Sequence, residues 1–158
     1  MSISVQPSHE VGLFNWMANH PEISPHVRDD RTKGAIDLTP LNTSENVFLH
    51  LGVDGRDAGF VVLIRHGHIF EMHSGILPEF RGATALQIGR AVIDWVRDQL
   101  PCEQLTTWAW EHARHVRLVT RMLGFKEVNR VDWPYTVEGR SVRRVDFSLA
   151  FNQPSLCL

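Results

Sequence analysis

The segment Ile69-Phe70-Glu71-Met72-His73-Ser74-Gly75-Ile76-Leu77-Pro78-Glu79-Phe80-Arg81-Gly82-Ala83-Thr84-Ala85 constrains the fold of this chain more than any other. It reads as a strand that carries a carboxylate, runs out through a proline, turns on small residues and opens directly into a long amphipathic helix. A helix entered in this way presents unpaired backbone N–H groups at the positive end of its dipole, a ready seat for a phosphate.

The rest of the chain alternates strand and helix patterns around that unit. Ile3 and Val5 alternate with polar residues and predict a short first strand. Val11, Phe14 and Ala18 predict a helix over His9–Asn19, with Ser8 as its N-cap. From Glu22 to Ser44 the sequence is irregular, punctuated by Pro25, Gly34 and Pro40 and by the charge cluster Arg28-Asp29-Asp30-Arg31, and is expected to form a loop with one short helix at a substrate rim. Two strands, Val47–Val53 and Ala58–Arg65, flank Asp54-Gly55, a strong hairpin signal.

Gly67 turns the chain into the strand Ile69–Ser74. The helix over about 82–99 is expected to bury Ala85, Gly89, Val92, Val96 and Leu100, with Gly89 letting it approach the sheet. A strand at Leu105–Ala109, a helix from Glu111 to Leu123 closed by Gly124, and strands at Phe125–Val128 and Val142–Leu149 complete the order. The expectation is a single domain over 1–158, an α/β fold with a mixed, mostly antiparallel central sheet flanked by helices.

Composition narrows the class of function. A formal net charge of -2 on 158 residues argues against a general nucleic-acid or anionic-membrane surface. Cys102 and Cys157 have neither disulfide-framework nor zinc-module spacing, which suits a reducing compartment. The start MSISVQPSHE lacks a signal-peptide pattern and the apolar run Phe60–Ile64 is too short to span a bilayer, so a cytoplasmic protein is expected. His66-x-His68, with His73 nearby, places two imidazoles on one face, but no second ligand pair sits at a recognised metal spacing, and no metal is expected.

The segment from Glu71 to Phe125 resembles the GCN5-related N-acetyltransferase (GNAT) superfamily, whose loop reads Pro-x-aromatic-Arg-Gly-x-Gly-x-Gly/Ala. Pro78, Phe80, Arg81 and Gly82 match, as does Leu123-Gly124-Phe125 after the second long helix. Read without a gap, Thr84 and Leu86 take the later glycine positions. With one residue deleted, Ala83 and Ala85 do, which keeps both small and is the preferred alignment.

The resemblance implies a GNAT-like fold and an N-acetyltransferase that uses acetyl-CoA or another acyl-CoA as substrate, with a small-molecule or protein amine as acceptor. It implies Glu71 as the base, with His73 on the same strand face. The amides of Ile76 and Leu77 would polarise the thioester carbonyl, and Arg81, Gly82, Ala83, Thr84 and Ala85 would cradle the pyrophosphate. The family's usual acid, a tyrosine, is Thr120 here, its usual asparagine is Ala113, and the only tyrosine, Tyr135, is expected in a loop.

Divergent phage-encoded members share Pro-x-Phe-Arg-Gly-x-x-Ala. A second reading is therefore a catalytically inactive GNAT-like fold acting as a binding, structural or phage assembly protein, virion-associated or homo-oligomeric. A third is an acyl-CoA sensor. Arg114, Arg117 and Arg121 recur on one helix and read first as a solvated basic face, or else as CoA-phosphate contacts. Trp108 and Trp110 share a strand face and read first as core, or else as a pocket wall.

Overall fold

The computed structural model describes residues 1–151; Cys157, expected to be unpaired, lies outside the described residues. Among the described residues, seven strands form one sheet: β1 (Ile3–Pro7), β2 (Val47–Val53), β3 (Arg56–His66), β4 (Ile69–Ile76), β5 (Gln104–Trp110), β6 (Lys126–Val137) and β7 (Arg140–Ala150), in the spatial order β1-β2-β3-β4-β5-β7-β6. The β4–β5 contact is parallel and the other neighbouring pairs are antiparallel. The helices are α1 (Val11–Ala18), α2 (Ser24–Val27), α3 (Ala83–Gln99) and α4 (Arg114–Met122). No helix among the described residues is long and apolar enough to cross a membrane.

Strand register assigns the side chains to two faces. Phe48, Phe60 and Val62 share a face with Glu71, His73 and Gly75, because Phe48 pairs with Val62, Val62 with His73, Phe60 with Gly75 and Ile64 with Glu71. Helix α1 covers this face through Phe14, whose ring packs edge-on against Phe48 at 5.3 Å and Phe60 at 6.1 Å. Phe14, Leu49, Leu51, Leu63 and Leu105 are fully buried, each worth roughly 1.5–3 kcal/mol relative to exposure.

Helix α1 begins later than its pattern suggests. Glu10 is its N-cap and Ser8 Oγ instead accepts the Glu10 N–H at 3.2 Å, a turn preceding the helix. Helix α3 buries Ile88, Val92, Ile93 and Val96, with Ala85 and Leu100 only half-buried. Gly89 has its close approach to Leu123, not to the sheet: a Cβ there would lie 2.7 Å from Leu123 Cδ1. Helix α4 starts at Arg114 and not Glu111, and ends in a Schellman motif, with Gly124 N–H on Arg121 O at 2.9 Å and Phe125 N–H on Thr120 O at 3.3 Å.

β4 and β6 are among the strands that run longer than their sequence suggests. β4 continues to Ile76, and β6 runs twelve residues, to Val137, carrying Pro134 and Tyr135 inside it. Pro134 is tolerated because β6 is the edge strand and its pairing with β7 breaks register between Asp132 and Thr136.

Candidate active site

The site begins where β4 and β5 part. Their pairing runs from Ile69↔Gln104 to Glu71↔Thr106 and stops there, leaving the second half of β4 without a neighbour on that side. Thr107 Oγ1 bridges the start of the gap, donating to Met72 O at 2.9 Å. Leu77 N–H donates to Ala58 O at 2.9 Å, so by antiparallel alternation Leu77, Gly75 and His73 turn their backbone groups toward β3, and Ile76, Ser74 and Met72 toward the gap. The amide of Ile76 therefore faces the open splay, and that of Leu77 is consumed by the sheet.

At the far end of the gap, Pro78–Phe80 forms a single 3-10 turn with Phe80 buried, and Gly82 caps α3. Gly82 adopts φ 77° and ψ -137°, a conformation open essentially only to glycine. The first helical bond runs from Leu86 N–H to Gly82 O at 3.3 Å, so the N–H groups of Ala83, Thr84 and Ala85 point outward with no side-chain cap. A Cβ at Gly82 would meet nothing within 4 Å, so the approach to these amides is clear.

Arg81 is engaged by two backbone carbonyls. Its Nη2 donates to Glu22 O at 2.7 Å and its Nε to Ile76 O at 3.3 Å, tying the α1–α2 loop to the end of β4. Burial, with Arg81 and His112 as like charges nearby, pushes the His26 imidazole on α2 below its ordinary value.

Glu71 and His73 meet on the α1 face, with His73 Nε2 3.3 Å from Glu71 Oε2 and His66 Nε2 on the far side at 3.8 Å. The hydrogen bond from His73 holds the Glu71 carboxyl below the usual range against the opposing effect of burial. A neutral His73 that donates Nε2–H to that carboxylate presents its Nδ1 lone pair as an acceptor. His68 is separate: its Nδ1 meets Pro101 O at 3.2 Å.

From His73 a row of aromatic rings runs across the sheet. His73 contacts Trp108 edge-on at 6.2 Å, Trp108 contacts Trp110 at 4.7 Å, Trp110 contacts Trp133 at 6.0 Å, and Trp133 contacts Tyr135 at 6.4 Å. Trp110 is buried and donates its indole N–H to Pro25 O at 3.0 Å. The three tryptophans wall a cleft of about 320 Å³ closed on the other side by Asp29, Arg31 and Thr32. Trp108 and Trp110 thus serve as pocket wall as well as core.

Asp29 and Arg31 lie in the charge cluster of the segment expected at a substrate rim, whereas Trp133 and Tyr135 carry no motif in the sequence. Val131, Trp133 and Tyr135 alternate as strand residues do, but Pro134 masks the signal. On α4, Arg121 turns to Glu127 at 2.9 Å, and Thr120 donates its hydroxyl to Val116 O at 2.7 Å. Ala113 is the buried N-cap of that helix.

A mixed α/β sheet whose parallel pair splays beside a glycine-entered helix is the GNAT fold, and solved structures bear this out. The chain is similar to the spermidine N-acetyltransferase of Vibrio cholerae in complex with CoA and spermine, at 13% identity over 94% of this chain and 95% of that one, with a TM-score of 0.80. It is also similar to the smu.2055 protein of Streptococcus mutans UA159, at 15% identity over 95% and 99% of the two chains with a TM-score of 0.72. A probable acetyltransferase shares 22% identity over 68% of this chain and 63% of that chain, with a TM-score of 0.60. No curated protein matches the sequence. The chain belongs to the family described as "Protein of unknown function (DUF2824)", whose model matches residues 13–150.

Proposed function

We propose that the protein is an acyl-CoA-dependent N-acetyltransferase acting on an amine. The observation that carries this reading is the open side of β4: a strand edge that β5 leaves past Glu71, with the Ile76 N–H facing the gap, leading to the free Ala83, Thr84 and Ala85 amides. Such a path accommodates a pantetheine arm between the strands and a pyrophosphate at the helix end. The acyl-CoA supplies an activated thioester.

The chain's own residues then have distinct tasks. His73 Nδ1 takes a proton from the acceptor ammonium, and Glu71, ionised at neutral pH, fixes the imidazole and stabilises the resulting imidazolium. Ile76 N–H donates to the oxyanion that develops as the amine nitrogen forms its bond to the acyl carbon. As the C–S bond breaks, the surplus proton on the attacking nitrogen leaves to solvent and the thiolate takes its proton from there, since the Thr120 hydroxyl is committed to its own helix. Arg81 holds the loop and the strand end in register.

Calorimetry with acetyl-CoA and CoA tests the reading, with Ala83→Glu as the diagnostic variant. Micromolar binding that weakens at least about tenfold in Ala83→Glu, through like-charge repulsion at the helix end, supports it. Absence of binding at millimolar ligand overturns it. A second reading, a catalytically silent GNAT-like fold used for binding or assembly, then stands, favoured by the commitment of Arg81, Leu77 and Thr120 to internal hydrogen bonds.

A further inference from the structure

The aromatic cleft already holds a ligand-like group, and that group belongs to the chain. Arg31 reaches Asp29 with Nε at 3.1 and 3.2 Å from the two carboxylate oxygens and Nη2 at 2.9 Å, a bidentate fork. The same guanidinium stacks over Tyr135 at 3.8 Å from the ring centroid and lies 6.0 Å from that of Trp133. Its receptor is built into the protein: Asp29 is only 8% exposed, fixed by the Trp133 indole N–H at 3.0 Å, whereas the Arg31 side chain is 55% exposed. A buried carboxylate against aromatic faces is chemistry that selects a planar cation.

We propose that this is an acceptor subsite for a guanidinium group, occupied by Arg31 until an acceptor bearing its own guanidinium displaces it. The inference rests on the acetyltransferase reading only for the word acceptor, because binding at the cleft needs no acyl-CoA. Three arrangements favour it. The aromatic row ends at His73, so a guanidinium on Asp29 and a second, reacting amine share one wall. The cleft volume of about 320 Å³ matches a small ligand. The other cations nearby are already committed, Arg28 to Gly34 O at 3.0 Å and Arg144 to Asp146 at 2.7 Å, so Arg31 is the group that can leave without uncovering another pair.

An arginine two residues from its partner has a high effective concentration, so an external guanidinium binds the wild type more weakly than a variant without Arg31. The test is a titration of tryptophan fluorescence on the full chain without CoA, using agmatine, methylguanidinium and the neutral isostere methylurea. Saturable agmatine and methylguanidinium responses are expected, at least about tenfold tighter in Arg31→Ala than in wild type and lost in Arg31→Ala/Asp29→Asn, with none for methylurea. No saturable agmatine response in Arg31→Ala, while that variant keeps its native circular dichroism, overturns the proposal and leaves Arg31 as a loop staple. A response equal for methylurea, or one that survives Asp29→Asn, overturns it as well. Loss of acetyl-CoA binding in the calorimetric experiment leaves these outcomes untouched, so the two readings fail separately.

Discussion

Asp29 accepts the indole N–H of Trp133 at 3.0 Å across 104 residues of chain, joining the segment that follows α2 to the edge strand β6. The next residue repeats the link: Asp30 accepts the Glu138 N–H at 2.9 Å and the Gly139 N–H at 3.0 Å in the β6–β7 turn, together with the Thr136 hydroxyl. The cleft is thus roofed by a loop that is clasped to a hairpin by two consecutive carboxylates. Removing the first clasp by Asp29→Ala frees the half-buried indole N–H and is expected to cost about 2 kcal/mol. Urea unfolding of the variant and its parent checks this, and an unchanged midpoint refutes it.

The acid response of the β6 edge follows from Glu127. Its carboxyl, hydrogen-bonded to Arg130 and Arg121, is depressed from 4.5 to about 2. A depressed carboxyl contributes stability that is present above the unfolded value and lost as pH falls through the folded one. The urea midpoint of Glu127→Gln is therefore expected to lie below wild type at pH 6, with the gap closing between about pH 4.5 and about pH 2. A gap that stays constant over that range would show that the loss is one of packing and not of charge.

On the proposed chemistry, His73 and Glu71 separate by kinetic parameter. His73→Ala removes the proton acceptor and is expected to lower kcat about 100-fold with little change in acetyl-CoA KM. Glu71→Gln keeps the shape but not the charge that stabilises an imidazolium, and is expected to cost about tenfold in kcat. Steady-state kinetics on the two variants decide the order. Glu71→Gln falling further than His73→Ala would make the carboxylate the base.

Parts of this arrangement are legible in the amino-acid sequence because they are local. Residues 69–85 spell strand, turn and helix through alternation, Pro78 and Gly82, and the Asp54-Gly55 and Glu138-Gly139 turns mark their hairpins by residue type; both first-position residues have positive φ, 50° and 51°. What stays hidden depends on distant partners. Nothing near Arg81 tells that its guanidinium will find Glu22 O, and nothing near Leu77 tells which of two successive amides β3 will consume. Pro134 makes β6 read as a loop, because a proline argues against a strand unless the edge position and the register break are known. The cleft is lost with it, since Trp133 and Tyr135 join Trp108 and Trp110 only across that strand.

The meeting of Gly89 with Leu123 is one such distant contact, and it yields a coupled pair. Alanine at 89 gains about 1 kcal/mol in helix propensity, but its Cβ would stand 2.7 Å from Leu123 Cδ1 and 2.9 Å from Cδ2, so the leucine must shift at the junction of α3 and α4. Gly89→Ala is expected to destabilise by about 1 kcal/mol, and the same change in a Leu123→Ala background to stabilise. A double-mutant cycle in urea measures the coupling. Additive effects would mean that the helix junction yields at no cost.

Thr107 marks the limit of the β4–β5 ladder and sets how wide the splay stands. Past Glu71↔Thr106 no backbone pair joins the strands, and the Thr107 hydroxyl on Met72 O is the one cross-link identified before the gap opens. Valine keeps the branched shape and the strand preference but cannot donate, leaving Met72 O without its partner. Thr107→Val is therefore expected to cost about 1 kcal/mol globally, and locally to speed amide exchange at Phe70 and Met72, whose backbone faces β5, more than at Gly75 and Leu77, which β3 protects. Because a wider gap also loosens the proposed thioester contact at Ile76, acetyl-CoA affinity is expected to fall in step. Exchange that rises equally at all four amides would place the opening in the β3–β4 ladder instead, and would remove Thr107 from any role in shaping the site.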